Sequence, residues 1–317
     1  MAKEYKYRML VYPNITKKYD EIRKDSYIVL IPSVLKALST IRKDIHITIL
    51  NPIHLEEFDR KVGGAKVYPN VEQIYYNQKF ESDNNKMRTS YFFDAGAFFP
   101  LLDWKNNDYD IIYSHLPEHT VQLSNLINNR THSAPKFLGY SHWFETDNKT
   151  DKNMLLQNYI GMLEMDICGV NSQWIKDKVL KDARKTFNNK IIQKLENIIQ
   201  IHQLGLHNWD FTPTQNKGKK IIAFNHRGQS YMGWDFFCKA MDKLWKKRKD
   251  FKVITFQKQA NAVKYAWSEY QSPLDVNRDE YFKRLKTAHI GVGCFNGSSG
   301  GGSWSISVTD GLSLGVP

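Results

Sequence analysis

Several groups of residues in this chain have types and spacings that could do chemistry. Gly297–Ser303 is a glycine- and serine-rich loop that enters a helical pattern with Asp310 in its second turn. Such a loop lets backbone N–H groups approach an anion, and a helix N-terminus adds about half a positive charge, a geometry suited to a diphosphate. A surface loop can have the same composition; the strand pattern His289–Gly293 directly before it favours a ligand role, because ligands meet parallel sheets at the ends of strands. Two further segments, Tyr113-Ser114-His115-Leu116-Pro117-Glu118-His119 and Gly139-Tyr140-Ser141-His142-Trp143-Phe144-Glu145-Thr146-Asp147, set histidines and carboxylates at predicted strand ends. These groups can hold a hydroxyl or take its proton. One histidine alone is more often structural, and two clusters on adjacent strands shift that balance. Arg227, taken alone, reads as an exposed strand-end arginine. Asp108-Tyr109-Asp110 has the spacing of a metal-binding pair but precedes a strand start, so it reads as structural and no metal is expected.

The elements that must position these residues alternate. Strands are predicted at Tyr7–Tyr12, Ile45–Leu50, Val71–Tyr76, Asp110–Ser114 and Lys136–Tyr140, with a helix after Asp25 or Ser26 and others at Glu118–Asn128, Met154–Met165 and Gln173–Leu180. A polar stretch with a proline and a glycine follows, and then a second series: strand Ile221–Asn225, helix Trp234–Lys247, strand Phe251–Phe256, helix Arg278–Thr287, strand His289–Gly293 and a helix from about Trp304. Alternating βα units predict parallel sheets. The expected organisation is a first domain over 1–207, a linker over 208–220 and a second domain over 221–317.

With 317 residues, 41% hydrophobic and 13% aromatic, the chain has the composition of a globular enzyme of two domains, and no apolar run reaches membrane-spanning length. Three scattered cysteines and no apolar leader predict reduced thiols and a cytoplasmic location. The net charge of +12 predicts attraction to polyanions: nucleic acid, an anionic membrane surface or a nucleotide. The clusters Lys217-Gly218-Lys219-Lys220 and Lys246-Lys247-Arg248-Lys249 read mainly as solvated faces. Nothing in the sequence sets an oligomeric state.

The segment Gly300–Pro317, Gly-Gly-Gly-Ser-Trp-Ser-Ile-Ser-Val-Thr-Asp-Gly-Leu-Ser-Leu-Gly-Val-Pro, resembles the donor-site signature of glycosyltransferase family four, in which two acidic residues eight positions apart precede Gly-x-Pro. The resemblance implies that Asp310 meets the ribose of a nucleotide and that Ser303, Trp304, Ser305, Ile306 and Ser307 form the turn around its phosphates. Gly302 stands where the family has its first acidic residue, the one that touches the transferred sugar. Ile221–Arg227 followed by Met232-Gly233-Trp234 resembles the family's strand, arginine and Lys-Gly-helix segment. That likeness implies that Arg227 pairs with the donor diphosphate; Met232 replaces the usual lysine, and Lys258 is the candidate substitute. His142 resembles the histidine that such enzymes set against the sugar, with Glu145, or else Asp147 or Glu118, taking the proton of the acceptor hydroxyl. Asn171-Ser172 resembles the family's helix entry, a capping role.

What the resemblance implies is an α/β fold of the GT-B class, two Rossmann-like parallel-sheet domains facing a cleft. The family's further strand and helices after Gly-x-Pro predict a chain cut short at Pro317. The implied activity is transfer of a sugar from a nucleoside-diphosphate donor, UDP first, with retention and without metal. A general likeness to bacteriophage DNA glycosyltransferases, with the charge and the aromatics, makes a hydroxymethylated base in DNA the expected acceptor. A bacterial glycan or glycolipid acceptor at an anionic membrane, and a non-catalytic binding module, are the rivals.

Overall fold

The computed structural model describes residues 5–13, 27–52, 70–77, 93, 95–102, 108–115, 117–128, 134–141, 144, 152–203, 205, 218–226, 232–256, 262–270, 278–293 and 306–317. The chain divides into two units, Met1–His202 and Gln203–Pro317.

In unit 1 the order is β1 (Tyr7–Tyr12), α1 (Tyr27–Ile41), β2 (Ile45–Pro52), β3 (Val71–Tyr76), the short α2 (Ala95–Phe98), β4 (Ile111–His115), α3 (Thr120–Asn128), β5 (Lys136–Ser141), α4 (Lys152–Glu164), β6 (Ile167–Val170), α5 (Gln173–Ala183), α6 (Asn189–Ile198) and β7 (Ile199–Ile201). The seven strands lie in the order β3-β2-β1-β4-β5-β6-β7, and every pairing is parallel. Met9 to Tyr12 of β1 are all buried, as a strand covered on both faces requires. Because side chains alternate along a strand, Met9 and Val11 join α1's Ile31 and Leu35 on one face, while Leu10 and Tyr12 join α3's Leu123 and Ile127 on the other. Carboxylates clip the starts of the strands: Asp110 accepts from the Arg8 amide at 2.8 Å, and Asp166 from the Phe137 amide at 2.8 Å. The pair-spaced Asp110 is thus spent at the edge where the strands begin.

Helix ends follow local chemistry. Ser172 accepts from the Ile175 amide at 3.3 Å and Asn188 from the Ile191 amide at 3.1 Å, each capping its helix. The helix predicted from Glu118 starts instead with a 3-10 turn over Pro117–His119, and α3 begins only at Thr120. Helix α6 and strand β7 extend the sheet beyond the predicted elements; Ile192, Leu195 and Ile198 bury one side of α6.

Unit 2 runs β8 (Lys220–Phe224), α7 (Trp234–Lys247), β9 (Phe251–Thr255), β10 (Ser268–Tyr270), α8 (Arg278–Leu285), β11 (Ile290–Gly291) and α9 (Ile306–Ser313). Its four strands lie in the order β10-β9-β8-β11, all parallel. The alternation recurs: Ile221 and Ala223 pack with Tyr281, Phe282 and Leu285 of α8, and Ile222 and Phe224 pack with Trp234, Phe237 and Cys238 of α7. Helix α9 ends in a left-handed Gly315 at φ 69°, where the Val316 amide bonds the Gly311 carbonyl and the Gly315 amide that of Leu312. Only glycine takes that backbone cheaply. The Pro317 carbonyl then accepts from the Gly291 amide at 2.7 Å, returning the chain beside β11. Two parallel, Rossmann-like α/β sheets are therefore present.

Candidate functional site

Each sheet has one place where the strand order reverses direction, and ligands of open parallel sheets bind at such switch points, outside the ends of the strands. In unit 1 the reversal lies between β1 and β4; in unit 2 it lies between β8 and β11. Both places hold buried polar side chains.

At the unit 1 switch point, Tyr12 ends β1 and His115 ends β4. The 3-10 turn that follows buries Glu118 and His119. The Tyr12 hydroxyl lies 3.0 Å from His119 Nδ1, and the Tyr113 hydroxyl 2.9 Å from His115 Nδ1. His115 stacks on Tyr140 of β5 with ring centroids 5.8 Å apart and planes 17° apart, while Phe93 stands edge-on to His119 at 5.5 Å. Burial pushes the Cys168 thiol up to about 12, and the nearby negative charge of Glu118 adds to that shift. The turn is held from behind by α4: a Cβ on Gly161 would stand 1.9 Å from the Pro117 carbonyl oxygen. The Thr120 hydroxyl, buried at the start of α3, has no hydrogen-bond partner among the described residues.

At the unit 2 switch point, Asn225 follows β8 and donates from Nδ2 to the Tyr281 hydroxyl at 2.9 Å and to the Ser307 carbonyl at 2.8 Å. Tyr281 in turn donates to Asp310 Oδ2 at 3.1 Å. One chain of hydrogen bonds thus joins the end of β8, helix α8 and helix α9. Asp310 is 6% exposed. His226, beside it in sequence to Asn225, is buried, and its pKa is lowered, chiefly because burial disfavours the charged imidazolium; the backbone at Val292 opposes this. A Cβ on Gly293 would meet His226 Nε2 and Val308 Cγ2, both at 3.2 Å, so glycine lets the end of β11 pass close to α9.

Of the residues singled out in the sequence, Ser307 and Asp310 are in α9, which Ile306 begins, and His115, Glu118 and His119 are at the unit 1 switch point. His142, Glu145, Asp147, Arg227, Lys258, Gly302, Ser303, Trp304 and Ser305 lie outside the described residues, as does most of the predicted linker. Met232 precedes the left-handed Gly233, φ 75°, which opens α7. Tyr281 and Tyr12 went unremarked in the sequence as site residues. A tyrosine within an amphipathic helix, or at the end of an apolar strand, has no local mark to separate it from ordinary core. Among the described residues, no group of three or more His, Cys, Asp or Glu side chains is placed to hold a metal ion, and no helix is long and apolar enough to cross a membrane.

No family model matches this chain, and no curated protein matches it in sequence. Solved structures do match in fold. The N-terminal domain of trehalose-6-phosphate phosphatase from Candida albicans is 12% identical, with a TM-score of 0.64 over 99% of this chain and 81% of that one. Sucrose-phosphate synthase from Thermosynechococcus elongatus is 10% identical, with a TM-score of 0.63 over 98% and 80%. An α,α-trehalose-phosphate synthase (UDP-forming) from Burkholderia vietnamiensis is 9% identical, with a TM-score of 0.62 over 97% and 82%. At these identities the likeness carries the fold, and the fold of this chain is that of the GT-B class, with two Rossmann-like parallel sheets.

Proposed function

We propose that the protein is a glycosyltransferase that takes a sugar from a nucleoside-diphosphate donor, UDP-linked first, and passes it with retention to a hydroxyl acceptor. The observation that carries this reading is the anchored Asp310 at the unit 2 switch point, in a fold shared along nearly the whole chain with a UDP-forming synthase. A carboxylate there can accept hydrogen bonds from the ribose hydroxyls of a nucleotide. Ser303, Trp304, Ser305, Ile306 and Ser307 would surround its phosphates. Arg227 would supply the guanidinium fork that matches phosphate oxygens, with Lys258 as a second cation. Stabilising the departing diphosphate is the largest contribution expected of such a site.

On the acceptor side, His142 would hold the sugar and Glu145 take the acceptor's proton, with Asp147 or the buried Glu118 of the unit 1 switch point as the alternative bases. The acceptor in this reading is DNA with a hydroxymethylated base, and the net charge of +12 supports a polyanionic partner such as DNA. No metal is assigned a part in this reading, and the two domains divide at a linker over 208–220.

Calorimetric titration of UDP tests the donor half. Arg227→Ala should weaken binding by about 2–4 kcal/mol through loss of a charge-assisted bidentate contact, and Asp310→Asn by less. Unchanged affinity in Arg227→Ala would remove the donor assignment. Incubation with nucleotide sugars and hydroxymethylated DNA, unmodified DNA or lipid-linked glycans tests the acceptor, and transferred mass on the glycans alone would overturn the DNA reading.

A further inference from the structure

The positive charge of this chain is unevenly placed. Unit 2 has 17 Lys and Arg against 9 Asp and Glu, while unit 1 has 28 against 24. Four of these lysines share one face of a single helix. Phe236, Lys239, Ala240, Lys243, Lys246 and Lys247 are all exposed on α7. At about 100° per residue they share one arc of roughly 120°. No acidic residue falls within that arc. Asp235 and Asp242 lie at its margin, and Asp242 accepts from the Trp267 indole at 2.7 Å.

A second group of lysines gathers on the other side of the helix, around Trp245, which lies about 160° from the middle of the arc. Lys249 stands 4.5 Å and Lys219 5.8 Å from the Trp245 ring, so the two lysine clusters, separated in sequence, meet on one indole. Arg248 and Lys252 are already paired, with Asp250 and Glu269. Among the described residues, the four lysines of the arc have no ion-pair partner. The row ends at Lys247, shortly before β9, so its end lies at the strand starts, whereas Asn225 and Asp310 lie where the strands end.

A helix C-terminus accounts for basic residues in its last turn, which are Lys246 and Lys247. It does not account for Lys239 and Lys243. A membrane-lying helix would embed an apolar face, but Trp234, Phe237 and Cys238 of α7 are committed to the core of unit 2. What remains exposed is a row of point charges with one aromatic, Phe236, at its start beneath Lys239. From Lys239 to Lys247 it runs about 12 Å at 1.5 Å per residue. With one charge per roughly 3.4 Å along each strand of a duplex, that length faces about three or four phosphates.

We propose that this face of α7 is a docking surface for the phosphate backbone of DNA, outside the donor crevice and indifferent to base sequence. Lysine contacts to phosphate position a duplex without reading it. The proposal rests on the DNA reading of the acceptor, and measuring binding without any nucleotide sugar keeps the two separable.

The test is fluorescence anisotropy of the full chain with a labelled 30-base-pair duplex of unmodified DNA over a range of salt. The variant is K239Q/K243Q/K246Q/K247Q. The control, K152Q/K181Q/K190Q/K194Q, makes the same charge change on exposed positions of unit 1. Circular dichroism melts confirm that each is folded. In the α7 variant, affinity should fall more than about tenfold and the slope of log K against log salt should become shallower by about 3, given about 0.9 per phosphate contact, while the control keeps most of the affinity. Equal losses in the two variants would reduce the effect to net charge and overturn the proposal. So would a wild-type chain that ignores the duplex yet is retained by vesicles of anionic lipid. Duplex binding lost in the α7 variant without transfer to any DNA acceptor would keep the docking surface and remove the acceptor reading.

Discussion

The two switch points are placed by one topological rule and built in different ways. In unit 1 the polar groups sit on strand ends and on the turn after β4, joined in tyrosine–histidine pairs among aromatic rings. In unit 2 a single run of hydrogen bonds, Asn225 to Tyr281 to Asp310, ties three elements together. The first depends on close backbone packing, since the turn with Glu118 and His119 rests against Gly161 of α4. The second depends on directed polar contacts in a dry setting, where an unmet partner is costly. The lesson is that one strand order can present either imidazoles or an anchored carboxylate, and that different substitutions will disturb each.

The largest effect should come from Gly161→Ala. In most helices this change stabilises by up to about 1 kcal/mol. Here the new Cβ would stand 1.9 Å from the Pro117 carbonyl oxygen and 2.7 Å from its carbon, backbone atoms that cannot swing aside. Overpacking of this kind should win, with a net loss of about 3 kcal/mol in urea unfolding. A neutral or stabilising result would mean that the unit 1 turn is not held by packing.

Next comes a matched pair that sharpens the contrast. Tyr281→Phe removes a hydroxyl that accepts from Asn225 and donates to a buried carboxylate, and should cost about 2–3 kcal/mol. Tyr12→Phe removes the contact to His119 and should cost about 1 kcal/mol. Equal losses, measured by the same denaturation, would erase the distinction between the unit 2 relay and the unit 1 tyrosine–histidine pairs. Tyr281→Phe should also weaken UDP binding if Asp310 meets the ribose, whereas Tyr12→Phe should leave it unchanged.

The smallest effect concerns pH. Burial lowers the His226 pKa, so near its titration the native state binds fewer protons than the unfolded chain, and stability rises with pH. The loss therefore begins as pH falls through the ordinary histidine value of about 6.5 and continues toward the lowered one. Thermal unfolding at about pH 7.5 and about pH 5.5 should show a smaller acid loss in His226→Gln than in the parent. The same acid loss in both would show that burial of this imidazole does not set the pH response.

Much of the frame was legible in the residues. The strand predicted at Tyr7–Tyr12 forms over those residues, and its unbroken burial follows from a run of apolar and aromatic side chains in a parallel sheet. Helix α7 begins and ends at Trp234 and Lys247 as its apolar spacing requires. Ser172 caps α5 because a hydroxyl there reaches an amide three residues on. Asp310 was marked by its place after a glycine loop, although most of the other residues expected beside it lie outside the described part of the chain. These are short-range matters, decided by spacing within one or two turns.

What the sequence did not show are encounters over long stretches of chain. Tyr281 reaches Asp310 across 29 positions and Asn225 across 56. Gly161 is required by Pro117, and Lys219 and Lys249 meet over Trp245. No local preference encodes such meetings. They depend on the strand order and on how each crossover helix lies on its sheet, and those are settled only when the two faces of the sheet compete to bury their apolar residues. The sequence by itself determined most of the strands and helices, with α6, β7 and β10 among the exceptions, because spacing within a segment sets them; the tertiary structure decided which polar groups share a crevice.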